Sequence, residues 1–206
     1  MDSALEIRPV ELRGEHVRLE PLNRAHLAGL ITAGRDPRIW RWMPLDGSTA
    51  EGMTTLVEAA LAAAAAGTEV PFVTIEQSTG RVVGSTRYLA LAPAHLRLEI
   101  GWTWLDPAVQ RSAMNTEAKL LGLGHAFEAL GLRRVELKTD VLNEQSRAAI
   151  LGIGAQFEGI FRKHIVMADG RARDSAYYSV IDTEWPSVRA RLRARLGRHA
   201  PKEGLR

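Results

Sequence analysis

Between residues 71 and 105 the chain carries three strand-like runs with few residues between them: PFVTIEQ (71–77), RVVGSTRYLAL (81–91) and LRLEIGWTWL (96–105). Connections this short make antiparallel neighbours, and Thr79-Gly80 supplies the first hairpin turn. The third run leads into VQRSAMNTEAKLLGLGHAF (109–127), which is small and polar at its start and helical beyond. A meander that ends in strand, loop and helix commits the chain to a mixed α/β sheet. The other segments agree with it. HVRLEPL (16–22) alternates as a first strand, and Asn23 caps a helix over 24–33. DPRIWRWMPLDG (36–47) is turn-rich and aromatic, and an alanine-dense helix runs from Thr49 to Ala66. The helix after the loop spans about Thr116 to Leu130 and stops at Gly131. RRVELKTDV (133–141) is a strand, Asn143 opens a short helix that ends near Gly154, and residues 157–181 form two strands around Asp169-Gly170. Helices therefore cover both faces of one sheet.

The 206 residues suit a single domain over 1–206, with no repeat and no linker. No apolar run is long enough to span a bilayer, so a membrane is not an expected partner. MDSALEIRP lacks the features of a signal peptide. With no cysteine the chain has no disulfide, thiolate nucleophile or cysteine zinc site, which fits a reducing cytoplasm. The formal net charge of +3 hides an asymmetry: residues 188–206 hold seven basic residues against Glu203, so the body is net acidic. Trp185, Val188, Leu192 and Leu196 recur at helical spacing, with Thr183 as cap and Pro186 in the first turn. The segment 184–197 is thus an amphipathic helix with a solvated arginine face, followed by a basic tail over 198–206. Its apolar stripe is buried either on the chain's own sheet or against a second copy in a homodimer. No aromatic or polar reading residues interleave the arginines, so nucleic acid is not an expected partner.

The loop before the central helix is the first candidate site. A helix start offers unpaired N–H groups, here on Ser112, Ala113, Met114 and Asn115, at the positive end of the helix dipole. Such a start binds phosphate well. GxxxxGK[ST] and GxGxxG are both absent. From the residues alone the loop is either a pyrophosphate site of undecided type or an ordinary turn capped by Asn115 or Thr116.

Here the chain resembles the GCN5-related N-acetyltransferases, and among them the Rim-type ribosomal-protein N-terminal acetyltransferases. The family's Q/R-x-x-G-x-G/A motif falls on Gln110-Arg111-Ser112-Ala113-Met114-Asn115; the first position matches, and Ala113 and Asn115 replace the glycines. EIGWTWL resembles the family's fourth strand, Asn143-x-x-Ser146 its N-x-x-S, and GAQFEGIFRKHI with AYYSVIDTEW its Rim-type ending. The resemblance runs from His16 to about Leu196. It implies a mixed, mostly antiparallel sheet of about seven strands flanked by helices, with acetyl-CoA as cosubstrate and no metal. The implied reaction is direct acetyl transfer to a primary amine, on a protein N-terminus or a small amine. The alternative is a regulatory protein that binds CoA through this fold without turnover. Ala113 supplies the same N–H as a glycine only if its backbone stays in an allowed region, whereas Asn115 tolerates left-handed geometry.

The same resemblance assigns roles, each beside a plainer alternative. Residues Gln110 to Thr116 hold CoA; Lys119 and Arg111 suit its phosphates or form a solvated face. Backbone N–H groups near Trp102 and Trp104 meet the pantetheine and the acetyl carbonyl, or the two rings are simply core on one strand face. Asn143 is a helix cap, a pantetheine ligand, or both. Many relatives place a tyrosine acid seven residues after that asparagine, where this chain has Ile150. Ser146 is then the available acid, or only a first-turn residue with local hydrogen bonds. Glu99 is the best-placed base, three residues before Trp102, or a strand glutamate paired with Arg97 or Arg87. His164 is structural. Trp40 and Trp42 form an apolar wall for the amine, or pack. The acidic body favours a cationic acceptor.

Overall fold

The computed structural model describes residues 5–198. All eight of its strands lie in one sheet: β1 (Leu12–Arg13), β2 (Val17–Pro21), β3 (Val70–Glu76), β4 (Val82–Ala92), β5 (Arg97–Leu105), β6 (Arg134–Asp140), β7 (Gln156–Val166) and β8 (Ala172–Ile181). The helices are α1 (Leu27–Gly34), α2 (Ala50–Ala65), α3 (Ala113–Gly124), α4 (Glu144–Ile153) and α5 (Trp185–Gly197). The strand beyond the seven expected is β1, whose two residues are too few to show an alternation; it pairs Leu12 with Leu19. The spatial order is β1-β2-β3-β4-β5-β6-β8-β7. Every neighbouring pair is antiparallel except β5 with β6.

Local chemistry sets most boundaries. Thr49 accepts from the Gly52 N–H and starts α2, and Asn143 accepts from the Ser146 N–H and starts α4. Left-handed Gly154 closes α4 at φ +103°. After α3 the helix widens into a π turn over His125–Ala129, and Gly131 at φ +63° ends it. Two caps differ from expectation. Ser112, not Asn115 or Thr116, caps α3, so this helix starts three residues earlier. Several polar residues in a row can each cap, and only the path of the incoming chain selects one. Thr183 does not cap α5: Glu184 occupies that position with no side-chain cap, and its carboxylate turns back to accept from the Ile181 N–H.

Two cores flank the sheet. On one face α3, α4 and α5 pack on Leu98, Ile100, Val135, Leu137, Tyr178 and Val180. Trp185, Val188 and Leu192 of α5 are buried there, with the Trp185 ring 5.5 Å from Phe127. The stripe is thus covered by the chain itself, and Leu196 is half-buried. Apart from Arg198, the basic tail over 198–206 lies outside the described residues. On the other face α1 and α2 pack on Val73, Ile75 and Trp104. Buried Glu117 of α3 accepts from the N–H groups of Glu15, His16 and Val17 at 2.9, 2.6 and 2.7 Å, pinning that helix to the start of β2.

Candidate active site

Two irregularities of β5 shape the site. β5 and β6 pair only from Arg97–Glu99 to Arg134–Glu136, and then part. On its other side β5 pairs Gly101 with Arg87 and Trp104 with Ser85, so one extra residue bulges between them. Trp102 takes φ +50° there, a backbone that costs about 1–3 kcal/mol for a bulky residue. Trp102 and Thr103 therefore lie outside the regular register of both neighbouring strands. The bulge also reverses the alternation. By parity Trp102 and Trp104 belong with Leu98 and Ile100; instead they share the α1/α2 face. Trp104 is core, while Trp102 is half-buried with the Arg87 guanidinium 4.9 Å from its ring.

The loop into α3 is held at both ends. The Gln110 side chain donates to the Leu105 carbonyl at 3.1 Å, and Ser112 Oγ accepts from the Met114 N–H at 3.2 Å. Arg111 supplies the one left-handed turn, at φ +61°. Ala113 and Asn115 are helical and need no glycine geometry, so their replacement of the family's glycines adds no backbone strain. Among the described residues no acceptor outside the helix meets the N–H groups of Arg111, Ser112 or Ala113. Met114 packs against the core and Thr116 is buried. Lys119 does not face the loop: its ammonium turns inward, 3.0 Å from Thr103 Oγ1, and burial lowers its pKa to about 8.

At the start of α4 the Asn143 Oδ1 takes the Ser146 N–H at 3.1 Å. The Ser146 hydroxyl has no protein partner among the described residues, so the local hydrogen bonds of a plain first-turn serine are not seen. Ile150, one turn on and on the same side of the helix, is buried in the core.

β6 and β8 bear α4 and α5 on one face only, through Ile150, Ile153, Val188 and Leu192. The opposite face of these strands carries polar side chains. Glu99 is 3% exposed and pairs with Lys138 at 2.8 Å, not with Arg97 or Arg87, which pair with Glu136 and Glu69. Register explains this: Lys138 lies just past the last β5–β6 pair, on the face that Glu99 shares. Burial pushes the Glu99 carboxyl above the ordinary range, and Lys138 opposes the push. The Lys138 ammonium lies 5.8 Å from the Tyr177 ring. Tyr177 in turn meets His164 Nε2 at 3.4 Å, while His164 Nδ1 meets Ser175 Oγ at 3.1 Å. Burial, then Lys138 and Arg173, hold the His164 imidazole below its ordinary pKa. Arg173 is buried and donates to the Trp42 carbonyl at 3.2 Å. The two loop tryptophans divide. Trp40 packs in the core, 5.1 Å from the Trp104 ring, with its indole N–H on the Gly34 carbonyl at 2.7 Å. Trp42 is half-buried beside this polar face, with Arg171 over its ring. Sequence reading passed over Lys138, Tyr177 and Arg173 because no motif marks them; strand pairing alone gathers them around Glu99.

Comparison with known proteins bears on the chemistry. Residues 16–156 match the family model described as "Acetyltransferase (GNAT) domain". A crystal structure of a GCN5-related N-acetyltransferase from Brucella melitensis is 31% identical, with TM-score 0.85, over 96% of this chain and 88% of that one. Mycobacterium smegmatis RimJ in complex with CoA-disulfide has the same fold, at 24% identity and TM-score 0.75 over 91% and 97% of the two chains. The Bacillus subtilis protein "Putative ribosomal N-acetyltransferase YdaF" is 32% identical over 52% of this chain and 57% of its own length. The chain spans less than two thirds of the curated relatives it matches.

Proposed function

The chain belongs to the GNAT acetyltransferase family, and from that premise we propose that it transfers the acetyl group of acetyl-CoA directly to a primary amine. The observation that carries the reading is the parting of β5 and β6 immediately after Glu99, beside an α3 start whose N–H groups are open. These features fit an acyl-CoA. The N–H groups of Arg111 to Ala113 suit a pyrophosphate, the bulged backbone at Trp102 and Thr103, beyond the last β5–β6 pair, suits the amides of a pantetheine, and Asn143 at the start of α4 is a further pantetheine ligand. Acetyl-CoA supplies an activated thioester. The chain's own residues do the rest. Glu99, whose pKa burial raises, orients the incoming ammonium and takes its proton, directly or through water. The free Ser146 hydroxyl donates a proton to the departing sulfur. Trp42 walls the acceptor side. The likeness to YdaF, named as a putative ribosomal N-acetyltransferase, favours an amine of a ribosomal protein, such as its N-terminus, over a small amine; the absence of cysteine fits a cytoplasmic reaction.

Calorimetry with acetyl-CoA, ATP and NAD, paired with CoA release against an amine panel, tests the reading. Acetyl-CoA is expected to bind and to turn over. Tight ATP binding without CoA binding overturns the site. CoA binding with no release on any amine gives a regulatory CoA-binding protein instead.

A further inference from the structure

Of the buried and half-buried cationic side chains on the polar face around Glu99, one lacks a carboxylate partner among the described residues. Lys138 is matched by Glu99 at 2.8 Å, Arg171 by Asp140 at 2.6 Å and Arg87 by Glu69 at 3.0 Å. Arg173 has no carboxylate within 4.0 Å among the described residues, although it is only 5% exposed. Its nearest acids are spoken for: Asp140 also accepts from the Leu142 N–H. Of its donors, Nη1 goes to the Trp42 carbonyl and Nε is buried with no partner. No hydrogen bond engages Nη2 among the described residues. Nε and Nη2 form the side-on edge of a guanidinium, the edge that grips a carboxylate through two parallel N–H bonds. Arg87 shares the buried, unpartnered Nε but differs at the other end: its Nη1 and Nη2 are both taken, by Glu69 and by the Leu56 carbonyl.

A buried guanidinium without a counter-charge is unfavourable, and an anionic ligand in the site would offset that. Arg173 lies close enough to Glu99 for each to act on the other's ionisation, so a ligand gripped here sits within the acceptor region. We propose that Arg173 is a carboxylate anchor of the acceptor site, so that the amine acceptor also bears a carboxylate. This rests on the amine-acetyltransferase reading. Trp42 ties the 36–48 loop to the anchor and shelters it from water. The unmatched charge of Arg173 acts at short range, whereas the acidity of the body beyond about 10 Å is screened in ordinary salt.

Two acceptor pairs test the proposal and separate the sources of a carboxylate. Alanine against alaninamide asks about a free α-carboxylate; Ala-Asp-Ala-amide against Ala-Asn-Ala-amide asks about a side-chain carboxylate on a peptide. CoA release is expected to favour the carboxylate member of one pair by about tenfold or more in kcat/KM. Arg173→Gln is expected to bring that ratio near one by raising KM on the carboxylate acceptor alone. Arg173→Lys keeps the charge, loses the side-on edge, and is expected to retain only part of the preference; it carries the test if the Gln variant does not fold. Equal rates within both pairs, or a preference that survives Arg173→Gln, overturns the anchor. Should no acceptor release CoA, the acetyltransferase reading fails by itself. Calorimetric titration of the same acceptors then decides the anchor: carboxylate-dependent heat lost in Arg173→Gln supports it, and its absence overturns it.

Discussion

One face of the sheet is built in two ways. Over β3, β4 and the end of β5 it is covered by α1 and α2, and its buried side chains are mainly apolar, Val73, Ile75, Met53, Trp40 and Trp104, with Ser85 and the Glu69-paired Arg87 as the polar exceptions. Over the start of β5 and over β6 and β8 the buried side chains are Glu99, Asp140, Arg173, Ser175 and Ser179. Both halves exclude water from these residues, so burial does not tell them apart. Polarity does. Apolar burial stabilises in proportion to area, whereas a buried ion pair adds little net stability over an apolar replacement. The first half is where the fold is held, and the second is where chemistry has something to work with.

The largest expected effect breaks the apolar half. Trp40→Ala removes a ring packed on Trp104 and should cost about 3–5 kcal/mol. At about 2–4 °C per kcal/mol for a chain of this size, a melting curve would show a drop of roughly 6–20 °C. Acetyl transfer measured well below the new midpoint should stay near wild type. If it collapses there too, the two halves are not separable.

Glu99→Gln breaks the polar half. As the loss of a base, it should lower kcat/KM by about 10²-fold. Because burial raises the Glu99 pKa, the wild-type rate should fall with decreasing pH through a midpoint above the ordinary carboxylate range. In Glu99→Gln that limb should vanish; a limb that stays puts the base elsewhere, with His164 the nearest alternative.

Lys119 sharpens the contrast, because it is a buried charge on the opposite face. Its folded pKa of about 8 lies below the unfolded value of 10.5. Between these values the unfolded chain binds more protons, so stability rises with pH there, by about 2–3 kcal/mol from about pH 8 to about pH 10.5. Lys119→Met should flatten that slope in denaturation curves and leave kcat intact. A loss of kcat would mean that buried charge outside the polar half is also catalytic.

The smallest effect concerns a hydroxyl at the margin. Ser146→Ala should lower kcat on the order of tenfold, with the acetyl-CoA KM moved less. An unchanged kcat would leave water as the proton donor to sulfur.

The sequence by itself determined the elements. The short spacings of 71–105 made the meander. Thr49 and Asn143 fixed two helix starts, Gly154 and Gly131 two ends, and Trp185, Val188 and Leu192 the buried stripe of α5. Each is a local matter, settled by capping, by glycine's freedom at positive φ, or by apolar spacing. The tertiary structure decided what local pattern cannot hold. An alternating strand does not announce where an extra residue will bulge, so the phase of Trp102 and Trp104 followed from the β4–β5 register. A hairpin does not state which of its strands joins the sheet; β8 lies inside and β7 at the edge, which brings Tyr177 opposite Lys138 and leaves Phe157 and Phe161 exposed. Nor could spacing separate Trp40 from Trp42, or choose Lys138 over Arg97 and Arg87 for Glu99. These outcomes depend on which distant residues share a face and a register, and that is set only when the sheet closes around its two cores.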